Sequence, residues 1–239
     1  MALRALIFDV DGTLANTERD GHRPTFNSAF EEVGLDWHWS EKFYGTLLNV
    51  TGGEERIRYY AEKYDPETLA RPDFEQLLQR IHALKTRNYQ RLITARTIPL
   101  RSEIGHLICD ARTEGVRLAI ASSSKRENIA RLLQANLGPT ADRWFDVIAS
   151  GDAVTAKKPA PDIYLWALKE LGLPARDCLA VEDSAHGLAA SLAAGIPTVV
   201  TVSDYTMNEN FEGARMVRHE ADSLSLDQLR LWHATAGAA

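Results

Sequence analysis

The sequence predicts an α/β protein: a doubly wound parallel sheet interrupted by a helical insertion. Three observations carry that prediction. Short apolar runs recur along the chain, most of them end at polar turn residues, and roughly a hundred residues without a good strand separate the first run from the second.

The first run, Leu3 to Phe8, stops at Asp9 and reads as a buried parallel strand whose C-terminal edge carries polar groups. The runs 116–121, 145–149, 178–182 and 198–202 follow, each bounded by Gly, Pro, Ser or Asp, with helical patterns between them. In the long gap, Phe26, Ala29, Phe30 and Val33 repeat at helical spacing. From Asp73 onward Phe74, Leu77, Leu78, Ile81 and Leu84 do the same, continuing to Tyr89, Leu92 and Ile93. The expected organisation is therefore an α/β catalytic core of residues 1–15 and 96–239 with a helical cap domain of residues 16–95. The cap is expected to sit over the strand end from which it emerges.

At 239 residues the chain is long enough for such a core and its passenger. A hydrophobic fraction of 45% and a charged fraction of 25% describe an ordinary soluble globular protein rather than a disordered or membrane one. A net charge of −6 with no basic run argues against binding nucleic acid, whose affinity rests on clustered Lys and Arg. The cysteines Cys109 and Cys178 form no metal or redox spacing, and the apolar N-terminus is too short for a leader or a membrane span. A cytoplasmic monomer without membrane partners is expected.

Two strand ends carry pairs of acids. Asp9-Val10-Asp11-Gly12-Thr13 follows the first run, and Val181-Glu182-Asp183-Ser184 closes the fourth. Either is open to a plainer reading, since Asp and Gly are good turn residues and Ser184 can cap a helix. Together they offer carboxylates to one crevice, where close like charges repel by roughly 4 kcal/mol at an intermediate effective dielectric. A divalent cation resolves that conflict, and oxygen-only ligation points to Mg²⁺. Ser122-Ser123-Ser124-Lys125 breaks a strand into hydroxyls before a helix, a place suited to an anion. Lys157-Lys158-Pro159 places a basic pair at a proline turn, although a lysine pair is more often simply solvated.

In this order, and with the insertion after the first, these four pieces resemble the motifs of the haloacid-dehalogenase-like hydrolase superfamily. The resemblance spans nearly the whole chain and implies a phosphatase. Asp9 is then the nucleophile that forms an aspartyl phosphate, and Asp11 is the acid and base. Thr13 helps to fix the loop, Ser122 hydrogen-bonds the transferring group, and Lys158 balances its charge while restraining Asp9. The implied Mg²⁺ ligands are Asp9, the main-chain carbonyl of Asp11, Asp183 and Glu182, the last in or just outside the first shell.

The segments 16–23 and 51–56 are further similar to the CbbY group, whose members dephosphorylate sugar bisphosphates, notably xylulose-1,5-bisphosphate. That likeness implies a small phosphorylated sugar as substrate. Arg56, Ser124, Lys125 and Arg126 are expected to take the phosphate that is not cleaved, with Gly52 and Gly53 opening a helix toward it and Ser123 beside them. Glu18, His22, Arg23 and Tyr44 are expected to read sugar hydroxyls or the distal phosphate. One departure is Glu54, where CbbY-like chains commonly carry Lys; Thr51 with Glu54 also fits a helix-capping box. Trp37-His38-Trp39 is read as cap packing rather than as a binding patch. The nearest rival within the fold is a β-phosphoglucomutase-like isomerase. A sensor without turnover is disfavoured by the intact acid pair.

Overall fold

The computed structural model describes residues 2–50, 52–219 and 224–235. The chain gathers into two compact units, Thr17–Thr97 and the pair Met1–Asn16 with Ile98–Ala239.

The inserted unit opens with a π-helical turn, Glu18–His22, that runs directly into α1, Arg23–Glu32. Four helices follow: α2, Glu41–Leu47; α3, Gly53–Tyr64; α4, Pro66–Leu69; and α5, Phe74–Thr94. Phe26, Ala29 and Phe30 of α1 are buried, as are Phe74, Leu77, Leu78, Ile81, Tyr89 and Ile93 of α5. Apolar residues at helical spacing thus become the two buried faces. Trp37 and Trp39 are buried while His38 is exposed, and the Phe30 and Trp39 rings meet edge-on at 4.7 Å, so this stretch is packing. Asn27 ties the same loop to α1 by accepting from Trp39 N at 2.8 Å and donating to Trp39 O at 3.0 Å. The Trp37 indole donates to Asp65, whose other carboxylate oxygen caps α4 through Thr68 N.

In the second unit the strands are β1, Ala5–Phe8; β2, Arg117–Ala121; β3, Val147–Ala149; β4, Cys178–Glu182; β5, Thr198–Thr201; and β6, Met216–Arg218. They form one parallel sheet in the order β3-β2-β1-β4-β5-β6. Every residue of β1 is fully buried, because helices cover both faces of a central parallel strand. The helices of this unit are α6, Ser102–Thr113; α7, Arg126–Leu137; α8, Asp162–Leu171; α9, Ala185–Ala193; and α10, Leu226–Thr235. Sheet order reverses between β1 and β4, which is where an open α/β sheet offers a crevice at its C-terminal edge.

Two differences from the sequence reading stand out. The edge strand β6 was not expected: it has three half-buried residues and no apolar run to announce it. Phe145 and Asp146 precede β3 instead of joining it, following a short 3₁₀ turn at Ala141–Trp144.

Candidate active site

The ends of β1 and β4 lie side by side, with Phe8 in register with Val181 and Asp9 N–H donating to the Val181 carbonyl at 3.0 Å. Beyond Asp9 the chain turns tightly, Leu14 N bonding Val10 O at 2.9 Å and Gly12 N bonding Ala15 O at 2.8 Å. Gly12 adopts φ +92°, and a Cβ there would stand 2.0 Å from Asp183 Oδ2. Glu182 makes a similar demand: its carboxylate fills the space where a Cβ on Gly187 would be, 2.0 Å away. Ser184 caps α9 by accepting from Gly187 N at 3.2 Å, so capping and carboxylate placement share one turn.

Oxygens of Asp9, Glu182 and Asp183 come within 4.8 Å of one another, and all three residues are buried. Lys158 Nζ reaches both Asp9 Oδ1 and Glu182 Oε1 at 2.6 Å. Burial pushes the Asp9 carboxyl up to about 7 against the pull of Lys158, with Glu182 and Asp11 adding to the rise. Asp183 is pushed well above the usual carboxylate range by burial and then by Asp9 and Glu182. Burial works against the Lys158 ammonium, but Asp9 and Glu182 outweigh it and keep it charged. With all three carboxylates ionised, one ammonium would leave two negative charges uncompensated, which joins burial in raising the Asp9 and Asp183 values. An oxygen-only donor set with that deficit fits a hard divalent cation such as Mg²⁺.

Asp11 takes a separate course. Its Oδ2 accepts from Ser124 Oγ at 2.6 Å, and Ser124 N donates to Ser122 Oγ at 3.1 Å. The Ser122 hydroxyl is fully buried at the end of β2. Ser123 and Lys125 are exposed, and the Arg126 guanidinium donates to the Ile148 carbonyl at 3.1 Å. Arg126 thus meets the backbone of β3. The two adjacent lysines diverge likewise, with Lys157 donating to the carbonyls of Gly151 and Val154. Among the described residues the buried Thr13 hydroxyl has no hydrogen-bond partner.

Within the inserted unit, Glu18, Tyr44 and Arg56 meet. Tyr44 OH donates to Glu18 Oε2 at 2.6 Å and accepts from Arg56 Nη1 at 3.0 Å, and Arg56 Nε donates to Val50 O at 2.8 Å. His22 stacks on Tyr89 at 4.0 Å with Lys85 Nζ 2.8 Å from its Nδ1. Arg23 is not part of this group. It contacts Trp39 O and Glu41 and lines an open cleft of about 620 Å³ whose walls include none of Glu18, Tyr44 and Arg56. Gly52, at φ +101°, precedes α3, and Gly53 starts it. Thr51, the expected capping-box residue, lies outside the described residues, and Glu54 instead contacts Gln79 and His82.

Residues 6–201 match the family model of haloacid dehalogenase-like hydrolases. The CbbY protein of Cupriavidus necator is 48% identical over 90% of this chain and 84% of its own length, and that of Rhodobacter capsulatus 45% identical over 90% and 92%. This chain belongs to the haloacid dehalogenase-like hydrolases, in their CbbY-like group. A crystal structure of a CbbY variant from Rhodobacter sphaeroides, in complex with xylulose-1,5-bisphosphate, superposes with a TM-score of 0.78 at 39% identity, covering 94% of this chain and 100% of that one. The β-phosphoglucomutase of Bacillus subtilis is more distant, at 29% identity over 95% and 94% of the two chains. The enzyme is a phosphatase of this hydrolase family.

Three residues of this phosphatase escaped the sequence reading. Tyr164 of α8 donates its buried hydroxyl to Glu182 Oε1 at 2.5 Å; burial and then Glu182 push the phenol well above its ordinary value, so it keeps its proton. Arg101 holds the carbonyls of Gly12 at 2.8 Å and Thr201 at 3.0 Å, tying the loop after Asp9 to the end of β5. Neither carries a sequence signal. Lys85 does carry one: it interrupts the apolar stripe of α5 between Ile81 and Tyr89 with a cation.

Proposed function

We propose that this phosphatase hydrolyses a phosphorylated sugar, foremost xylulose-1,5-bisphosphate, through a phosphoaspartate on Asp9, acting as a cytoplasmic monomer. The observation that carries the reading is Asp9 itself, a buried carboxylate held by Lys158 at 2.6 Å, with a second acid two residues on. The likeness to the CbbY proteins, and the xylulose-1,5-bisphosphate bound in the Rhodobacter sphaeroides structure, support this substrate reading.

Asp9 attacks phosphorus, and the bond to the sugar oxygen breaks as Asp11 delivers its proton to that oxygen. Water then attacks the acyl phosphate while Asp11 takes the proton back, and inorganic phosphate leaves with Asp9 restored. Ser124 orients the Asp11 carboxyl through its 2.6 Å hydrogen bond, and Ser122 and Lys158 hold the transferring group and balance its charge. Asp9, Asp183, Glu182 and the Asp11 carbonyl would hold Mg²⁺, which when bound would supply the charge neutralisation that an anion needs to approach a phosphate dianion. In the inserted unit, Glu18, Tyr44 and Arg56 are the substrate-reading set, with Arg56 for the phosphate that stays.

The test is release of inorganic phosphate from a panel of sugar mono- and bisphosphates with Mg²⁺, by the wild type and Asp9→Asn. Phosphate from a bisphosphate, abolished in Asp9→Asn, is expected. Undiminished turnover by Asp9→Asn would overturn the mechanism. Isomerised sugar phosphate without net phosphate release would instead assign the mutase outcome, which the Bacillus subtilis relative keeps as the alternative.

A further inference from the structure

Glu182 is fully buried, so each of its oxygens needs donors in place of water. Oε2 accepts from Asp183 N at 3.2 Å. Oε1 accepts from two groups, Lys158 Nζ at 2.6 Å and Tyr164 OH at 2.5 Å. The same tyrosine presents its ring to the lysine, with Nζ 5.2 Å from the ring centroid. Lys158 uses its remaining reach on Asp9 Oδ1. A chain of buried groups therefore runs from Tyr164 through Glu182 and Lys158 to Asp9.

We propose that Tyr164 is a positioning residue for the nucleophile, acting through Glu182 and Lys158. Its hydroxyl satisfies half of the demand at Glu182 Oε1, which leaves the ammonium shared between Glu182 and Asp9. Without the hydroxyl, a desolvated carboxylate oxygen has only Lys158 to turn to, and the ammonium is drawn away from Asp9. The ring sets the other limit, placing an electron-rich face beside the ammonium. The proposal rests on the reading of Asp9 as the nucleophile.

Tyr164→Phe removes the oxygen and keeps the ring. In this variant kcat is expected to fall roughly tenfold with KM for the sugar phosphate little changed, because substrate contacts are untouched. The affinity for Mn²⁺ alone, followed by loss of the free-ion EPR signal on titration with protein, should weaken by a similar factor. Tyr164→Leu, which loses ring and hydroxyl together, should lose more on both measures. A Tyr164→Phe enzyme with wild-type kcat and Mn²⁺ affinity overturns the proposal, even if its melting temperature drops, because packing alone then explains the residue. The Asp9→Asn control separates the two levels: an active Asp9→Asn overturns both readings, whereas an inactive one beside a fully active Tyr164→Phe overturns the role of Tyr164 alone.

Discussion

The Asp183 carboxylate occupies the place where a side chain on Gly12 would begin, so that a Cβ at Gly12 would lie 2.0 Å from Asp183 Oδ2. The loop that carries Asp9 and Asp11 and the strand end that carries Asp183 are therefore fitted to each other through a glycine. Gly12→Ala should displace Asp183, strain a backbone at φ +92° by about 1–3 kcal/mol, and lower kcat by about a hundredfold. Steady-state kinetics beside a thermal melt check this. An alanine variant with wild-type kcat would show that the fit does not matter to the chemistry.

Crowding of the acids Asp9, Glu182 and Asp183 predicts that stability depends on a cation. Adding Mg²⁺ to EDTA-treated protein should raise the melting temperature, by about 2.7 kcal/mol of stability at a hundredfold excess over Kd. Asp183→Asn should lose most of that rise. Lys158→Met, which leaves buried anions without their ammonium, should cost about 3–5 kcal/mol in EDTA and recover part of it in Mg²⁺. Scanning fluorimetry in both buffers reads all three, and coincident wild-type melts would count against a cation at this cluster.

Arg56 touches Glu18 and Tyr44 in the structure, at 3.6 and 3.0 Å. Arg56→Ala is expected to raise KM for a sugar bisphosphate by roughly tenfold to a hundredfold, the worth of a charged hydrogen bond, and to change the monophosphate much less. Equal losses for both substrate classes would remove the second-phosphate role. Tyr44→Phe, which frees Arg56 Nη1 from the phenol, gives a milder companion.

His233 of α10 is buried, donates from Nε2 to the Arg176 carbonyl at 2.8 Å, and among the described residues has no partner at Nδ1. Burial lowers its pKa below the ordinary 6.5. A histidine kept neutral in the folded state contributes stability that is fully present above about 6.5, the unfolded value, and is lost as pH falls through the lower folded value. Between pH 7.5 and 5 the wild type should therefore lose more melting temperature than His233→Gln. Parallel losses in the two proteins would show that His233 does not drive the acid sensitivity.

Local pattern alone determined a good deal of this protein. Continuous apolar runs ending in acids specified buried parallel strands with a polar C-terminal edge, and the spacing from Phe74 to Ile93 specified α5 almost to its ends, because burial periodicity is written residue by residue. Where a signal is not periodic, tertiary structure decided. Lys157 and Lys158 are neighbours with the same charge, and only the fold sends one to backbone carbonyls and the other to an aspartate 149 positions away. Arg23 and Arg126 are both expected from sequence to meet the substrate, and the structure gives each guanidinium partners that no local pattern records, Trp39 and Glu41 for one and Ile148 for the other. β6 and Tyr164 had no local signature at all. Hydrophobic burial can be read from spacing, whereas the partner of a buried polar group is set by which distant segments the sheet order brings together, and no spacing records that.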